Sequence, residues 1–387
     1  MKGSNVFEEF YENAKGGILL IICTILSLLI AQSSLSDGYL HFWNFKLGGL
    51  SLTQWVNDGL MAIFFLMIGL ELKREVYVGE LSNINNATLP LFAAIGGMII
   101  PASIFMILNY GTPTQAGAGI PMATDIAFAI GVLSLLGNKV PSSLKIFLMA
   151  IAVIDDLGAI IVIALFYTSD LSLLHFLIVI GLFGGLLILN KLKIKHLSVY
   201  LILGIFMWYF MLKSGVHATL AGILLAIALP FEKGSKSALS YKIQDALDEP
   251  VALIILPVFA LANTAIVFAP GWDNGLLTMG SMGIFAGLII GKPIGVILFS
   301  FLAVTIGVSS LPRGLQWKHV IGVGFLAGIG FTMSIFITLL AYTDETIITE
   351  SKISILLASL TSGIIGFTWL RNILKNPSKK ITKKEPY

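Results

Sequence analysis

The chain has 387 residues and a formal net charge of +3, and 57% of its residues are hydrophobic while only 12% are charged. A soluble domain carries about 25% charged residues, so a deficit this large excludes a water-surrounded globule and sets most of the chain against lipid or other apolar helices. At about 20 residues per crossing, twelve spans and short loops use up the length and leave no room for a soluble domain, and no nucleic-acid partner is expected.

Taken in order, the chain opens with Glu8, Glu9 and Glu12 before its first apolar run. A secretory signal would be basic there and would end in a small-residue cleavage site, which this run lacks. Cys23, the single cysteine, cannot form an internal disulfide and reads as apolar filler. The hydropathy pattern predicts spans at 14–31, 53–72, 89–109, 119–136, 143–167, 172–190, 197–212, 216–231, 248–268, 281–304, 319–342 and 352–372. Residues 41–52, HFWNFKLGGLSL, are short, partly alternating and interrupted by Gly48 and Gly49. They predict a β-hairpin outside the membrane whose exposed edges suit pairing with a second copy. The Lys/Gly/Ser-rich stretch 232–240 is the main loop, and 376–387 is a basic tail.

Lysine and arginine test this map, because basic loops stay in the cytoplasm. Of the 24, 20 fall on one side and 3 (Lys46, Lys213 and Lys352) on the other, with Lys292 left over. Both termini are therefore expected in the cytoplasm. The fold class is an all-α membrane protein of twelve helices in a single transmembrane domain over 1–387.

Four charges fall deep within predicted spans: Asp125, Asp155, Asp156 and Lys292. Each costs about 2.5–3.5 kcal/mol at a span centre, and such residues mark paths for ions or protons. Apolar residues would pack as well without the desolvation cost, so ion pairing for packing alone is a poor account. Asp155 and Asp156 are adjacent, and neighbours on a helix point about 100° apart. One should line a cavity while the other meets a flanking partner; we assign Asp156 to the cavity and Asp155 to the flank. Carboxylate oxygens suit a hard cation, and two close carboxylates resist simultaneous ionisation.

Two spans carry breakers at mid-membrane. GAGIPMATDIAFAIG has Pro121, Thr124 and Asp125 between Gly119 and Gly131, and GVGFLAGIGFTMSIFITLL has Gly328, Gly330, Thr332 and Ser334. Unwound backbone at that depth survives only where it lines a cavity or is buried in protein. Two interrupted spans, one in each half, predict a transporter site between inverted repeats. Their helix ends would aim partial positive and partial negative charge at one place, which Asp125 and Lys292 could offset. Gly283, Gly287, Gly291 and Gly295 form a stripe for close helix contact beside Lys292, and an ion pair of Lys292 with Asp155 is expected.

Together these residues resemble the NhaA family of bacterial sodium–proton antiporters. The resemblance runs from about residue 10 to 372 through VNDGLMAIFFLMIGLELKRE (56–75), GIPMATDIAFAIGVL (119–133), FLMAIAVIDDLGAI (147–160), SGVHATLAG (214–222), LPVFALANT (256–264), GKPIG (291–295) and LAGIGFTMSIFI (326–337). It implies twelve helices with two broken ones crossing at mid-membrane, a homodimer joined through the 41–52 hairpin, a bacterial inner-membrane location and no cofactor. It implies a site for the transported cation on Asp155 and Asp156 with Thr124 nearby, and dipole compensation by Asp125 and Lys292. Glu71, Arg74, Glu75 and Asp245 match a cytoplasmic funnel for cation entry and pH response. His217 matches a histidine linked to pH response, and equally a hydrogen-bonded residue that opens a helix. Where many relatives have His-Pro this chain has Glu249-Pro250, with Ala246 for a further histidine in some and Ala118 for a tryptophan.

The expected activity is export of Na+ or Li+ against external H+, pH-regulated, with the site open to one side at a time. Two protons exchanged per cation move one net charge per cycle, the second proton riding on Asp155 or on Lys292. An organic-anion symporter on the same fold is the alternative, though paired acids argue against an anion site. No enzyme activity is expected: an intramembrane aspartyl protease needs its two aspartates on facing helices.

Overall fold

Helices apolar on every face must be wrapped by lipid or by other helices, and the computed structural model sorts them accordingly. It describes residues 5–167, 171–233, 235, 238–268, 270–312 and 314–375. The helices are α1 (Asn5–Ala31), α2 (Ser36–Asn44), α3 (Leu52–Tyr77), α4 (Ile84–Asn109), α5 (Ile126–Ser134), α6 (Ser142–Phe166), α7 (Leu173–Lys191), α8 (Leu197–Ser214) and α9 (Leu220–Ala228). They continue with α10 (a helical run through Leu239–Pro250, Val251–Ile255 and Leu256–Asn263), α11 (Met279–Thr305), α12 (Trp317–Ala327), α13 (Phe331–Ala341) and α14 (Glu345–Lys375). In Gln115–Ser134 and in α6, 67% of the apolar window is buried, against 11% in α7. The segments that carry Asp125, Asp155 and Asp156 thus lie inside the bundle, and α7 lies at the rim.

Among the described residues eight helices are long and apolar enough to cross a membrane, or ten if each of two bent pairs counts as one. Two expected spans differ from their prediction. The one at 216–231 contains only α9, whose nine residues rise about 13.5 Å, less than half of a hydrocarbon core of about 30 Å. The one at 248–268 is the rear of α10, which begins earlier, at Leu239, on a polar turn. The hairpin is also shorter than expected: Lys46–Leu47 pairs antiparallel with Leu50–Ser51, and Gly48 and Gly49 turn the chain at φ 62° and 90°. Residues 41–44 belong instead to α2. There Tyr39 and Trp43, one turn apart, meet edge to face at 6.1 Å, and the Tyr39 hydroxyl donates to Leu261 O. The basic tail expected at 376–387 lies outside the described residues.

Both interrupted spans are broken. In the first, Gln115–Met122 is a 3₁₀ helix of eight residues, longer than the usual three or four. Extended backbone at Ala123 and Asp125 then leads into α5. In the second, α12 and α13 meet at a 46° bend across Gly328-Ile329-Gly330. The breaks touch: Asp125 N donates to Ile329 O at 2.7 Å, and Ser334 Oγ donates to Ile120 O at 2.7 Å. The α11 glycine stripe makes this approach possible. A Cβ on Gly295 would sit 2.0 Å from Gly96 O, and one on Gly287 would sit 2.5 Å from Pro121 Cβ. α11 therefore lies backbone to backbone on α4 and holds the 3₁₀ segment beside Lys292.

Candidate cation-binding site

α6 presents its two aspartates to different surroundings. Asp155 Oδ2 accepts from Lys292 Nζ at 2.6 Å, with both side chains wholly buried. Thr124 Oγ1 lies 2.7 Å from the same oxygen and 2.8 Å from Ala327 O, so its single hydrogen can serve only one of the two acceptors at a time. Lys292 Nζ also donates to Met122 O, at the end of the 3₁₀ segment. Asp156, 1% exposed, has no protein hydrogen-bond partner for either carboxylate oxygen among the described residues, and neither has Asp155 Oδ1. One acid thus has its charge matched within the protein and its neighbour does not.

The helix ends around this pair follow from capping chemistry. A helix start leaves N–H groups unsatisfied and attracts negative charge. Asp125 is the N-cap of α5, with Oδ1 accepting from Phe128 N at 2.9 Å. Its Oδ2 accepts from Thr332 N at 3.0 Å and from Thr332 Oγ1 at 2.5 Å, so one carboxylate serves the starts of α5 and α13 together. The opposite ends expose carbonyls, of which Met122 O is taken by Lys292 and Ala327 O faces Thr124.

Asp156 borders a cavity of about 660 Å³. Its lining holds six carboxylates (Glu71, Asp125, Asp156, Asp245, Asp248 and Glu249) against one guanidinium, Arg74. Thr332 lines it as well, whereas Asp155, Thr124 and Lys292 stand behind that wall. Of the sequence-predicted residues, Glu75 and His217 are outside it. Glu75 accepts from Glu80 N just past the end of α3, and His217 Nε2 lies 2.6 Å from Tyr167 O, a contact that requires a hydrogen on that nitrogen because a carbonyl only accepts. Pro121 packs under α11, while Gly328 and Gly330 lie at the second break, where a Cβ on Gly328 would meet Leu288 O at 2.4 Å. Among the described residues no group of three or more His, Cys, Asp and Glu could hold a metal ion; a cation here would rely on the two adjacent carboxylates, backbone carbonyls and water.

Sequence reasoning missed Asp248 on the cavity wall and the part played by Lys73. The Lys73 ammonium donates to Ala226 O, Ile227 O and Leu229 O at 3.2, 2.8 and 2.7 Å, capping the C-terminal end of short α9. The pattern around residue 73 holds no signal of a partner some 150 residues away.

A many-helix membrane protein whose two broken helices meet beside buried carboxylates is of the ion-coupled secondary-transporter class, in which sites lie between unwound segments at mid-membrane. The sequence model of the family described as Na+/H+ antiporter 1 matches residues 8–370. The chain is 60% identical over 377 residues to the Na+/H+ antiporter NhaA of Flavobacterium psychrophilum, covering 97% of this chain and 98% of that one. It is 55% identical over 386 residues to NhaA of Cytophaga hutchinsonii, covering 99% and 100%, and 45% identical over 377 residues to NhaA of Citrobacter koseri, covering 94% and 97%. The chain belongs to the NhaA family of Na+/H+ antiporters, which are transporters and not enzymes. In fold it also resembles the solved sodium proton antiporter MjNhaP1 from Methanocaldococcus jannaschii, with a TM-score of 0.56 over 96% of this chain and 97% of that one at 16% identity.

Proposed function

We propose that this Na+/H+ antiporter exports Na+ or Li+ from the bacterial cytoplasm in exchange for two external H+ per cation, through a site formed by Asp155 and Asp156 with Thr124 nearby. The observation that carries the reading is Asp156: a buried carboxylate with no hydrogen-bond partner for either oxygen among the described residues, on the wall of an acid-rich cavity. An isolated buried carboxylate is too costly to stay charged; it takes up a proton or a hard cation, and the two compete for the same oxygens. Six acids against one Arg74 favour a cation over an organic anion.

Chemistry at the pair supports the rest of the cycle. A cation reaching Asp156 from the cavity displaces its proton and draws in the free Oδ1 of Asp155. We assign the second proton to Lys292. A neutral amine keeps two N–H donors, so Lys292 can release a proton and still donate to Met122 O, and Asp155 is then free to share the cation. When Thr124 turns its hydrogen to ionised Asp155, Ala327 O is released as a further oxygen ligand. Two protons exchanged for one cation move one charge, worth about 2.3 kcal/mol per 100 mV, so the inward proton gradient and the membrane potential both drive cation export.

The 20-to-3 bias of Lys and Arg supports cytoplasmic termini in the inner membrane. The cavity, bordered by Glu71, Arg74 and Asp245, is then the cytoplasmic entrance of one state in an alternating-access cycle. Glu71, Arg74, Glu75, Asp245 and His217 adjust its response to pH, with Glu249 adding a negative charge at the cavity wall. The segment 41–52, with the hairpin Lys46–Ser51 at its centre, joins two copies, an arrangement supported by the exposed Leu47 of the hairpin and the exposed Phe42 and Phe45 just before it.

The test is Na+-induced dequenching of a ΔpH dye in everted membrane vesicles. The wild-type chain should respond to Na+ and Li+, and Asp156→Asn should not; substantial exchange by Asp156→Asn would refute the assignment of that carboxylate.

A further inference from the structure

The second broken helix has no cap of its own. Gly330 occupies the N-cap position of α13 and offers no side chain. The first two N–H groups of α13 nevertheless have partners. Thr332 N is bound by Asp125, and Phe331 N donates to Ser359 Oγ of α14 at 3.1 Å. One turn along α14, Ser362 Oγ donates to Phe325 O, in the last turn of α12, at 2.7 Å. Ser359 and Ser362, 3% and 0% exposed, are three residues apart and share a helix face. They fasten the half-helix after the break and the half-helix before it to one rigid rod. The fit is close: a Cβ on Gly328, the first residue of the break, would lie 2.4 Å from Ser362 Oγ. The backbone so held spans Ala327 O, opposite Thr124, and Thr332, bound to Asp125.

We propose that Ser359 and Ser362 are positioning residues for cation binding, a splint on α14 that sets the α12–α13 break in register with Thr124 and Asp125. The proposal rests on the cation-site reading above. Neither serine touches the acids. Without the splint, the N–H of Phe331 and the carbonyl of Phe325 each lose a buried partner, the break relaxes, and Ala327 O and Thr332 leave the positions at which they face the first broken helix.

The same helix supplies the control. Ser354 is 0% exposed, and its hydroxyl has no hydrogen-bond partner among the described residues, so Ser354→Ala removes an equally buried oxygen with no fastening to lose. In vesicles the double variant Ser359→Ala/Ser362→Ala should raise the apparent KM for Na+ about tenfold, a loss on the scale of one or two buried hydrogen bonds. Its Vmax per folded transporter should stay within about twofold of the wild type. Ser354→Ala should match the wild type, and Ser359→Thr, which keeps the hydroxyl, should restore the low KM relative to Ser359→Ala. A merely structural role would lower the amount of folded protein without moving KM. The single variants Ser359→Ala and Ser362→Ala are read in the same way should the double variant not accumulate. KM values for the alanine variants equal to that of Ser354→Ala overturn the splint. Exchange that survives Asp156→Asn overturns the site reading instead, so the two failures are told apart.

Discussion

Asp155 and Asp156 are consecutive on one helix, alike in chemistry and almost alike in burial at 0% and 1% exposure, and their surroundings are opposite. Asp155 faces Lys292 and Thr124 behind the cavity wall; Asp156 faces the cavity with no donor to either oxygen among the described residues. The 100° step between helical neighbours turns one sequence feature into two devices, one an internal ion pair and the other an acid left open to what the cavity delivers. Function and stability should therefore separate between them.

The largest effect belongs to Asp156→Asn. Exchange in vesicles should fall at least about 100-fold, while the purified protein should melt no lower than the wild type, since among the described residues no protein hydrogen bond to Asp156 is lost. A lowered melting temperature for this variant would erase the contrast. Asp155→Asn should lose exchange and stability together, because removing one partner of a buried pair leaves the other uncompensated, at a cost of about 3–5 kcal/mol; chemical unfolding of both variants in one detergent measures the difference.

Lys292→Gln sharpens the comparison next. An amide keeps a donor for Met122 O but cannot give up a proton as the ammonium does. Exchange should persist at a reduced rate, with the Na+-driven membrane potential in proteoliposomes falling to half or less. An undiminished potential would move the second proton to Asp155. The smallest effect is expected for Thr124→Ala, which touches only the flank of the pair. Apparent Na+ KM should rise by about fivefold to tenfold, the scale of one ordinary hydrogen bond, and Thr124→Ser should stay near the wild type.

How much of this was readable in sequence depends on the reach of each interaction. The acids at 125, 155 and 156 and Lys292 stood out because a charge in an apolar run is costly wherever it sits. The two breaks stood out because Pro121, Gly328 and Gly330 disfavour regular helix. Contacts decided by tertiary packing left no such trace. The helical end of α2 at residues 41–44, the shortness of α9 and the capping of α9 by Lys73 depend on partners far along the chain. The α14 serines were invisible for a related reason. Hydroxyls in membrane helices often bond back to their own helix, as Thr361 does to Leu357 O and Thr368 to Ile364 O, and only the fold distinguishes Ser359 and Ser362 from these.

The claim that cation and proton contend for one pair of carboxylates is tested most directly by calorimetric titration of the purified transporter with Na+ at a series of pH values, in buffers of different ionisation enthalpy. The account predicts that Na+ binding releases protons, that its affinity falls steadily as the medium is acidified, and that both signals vanish in Asp156→Asn. Equal affinity in acid and in base, with no protons released, would contradict it.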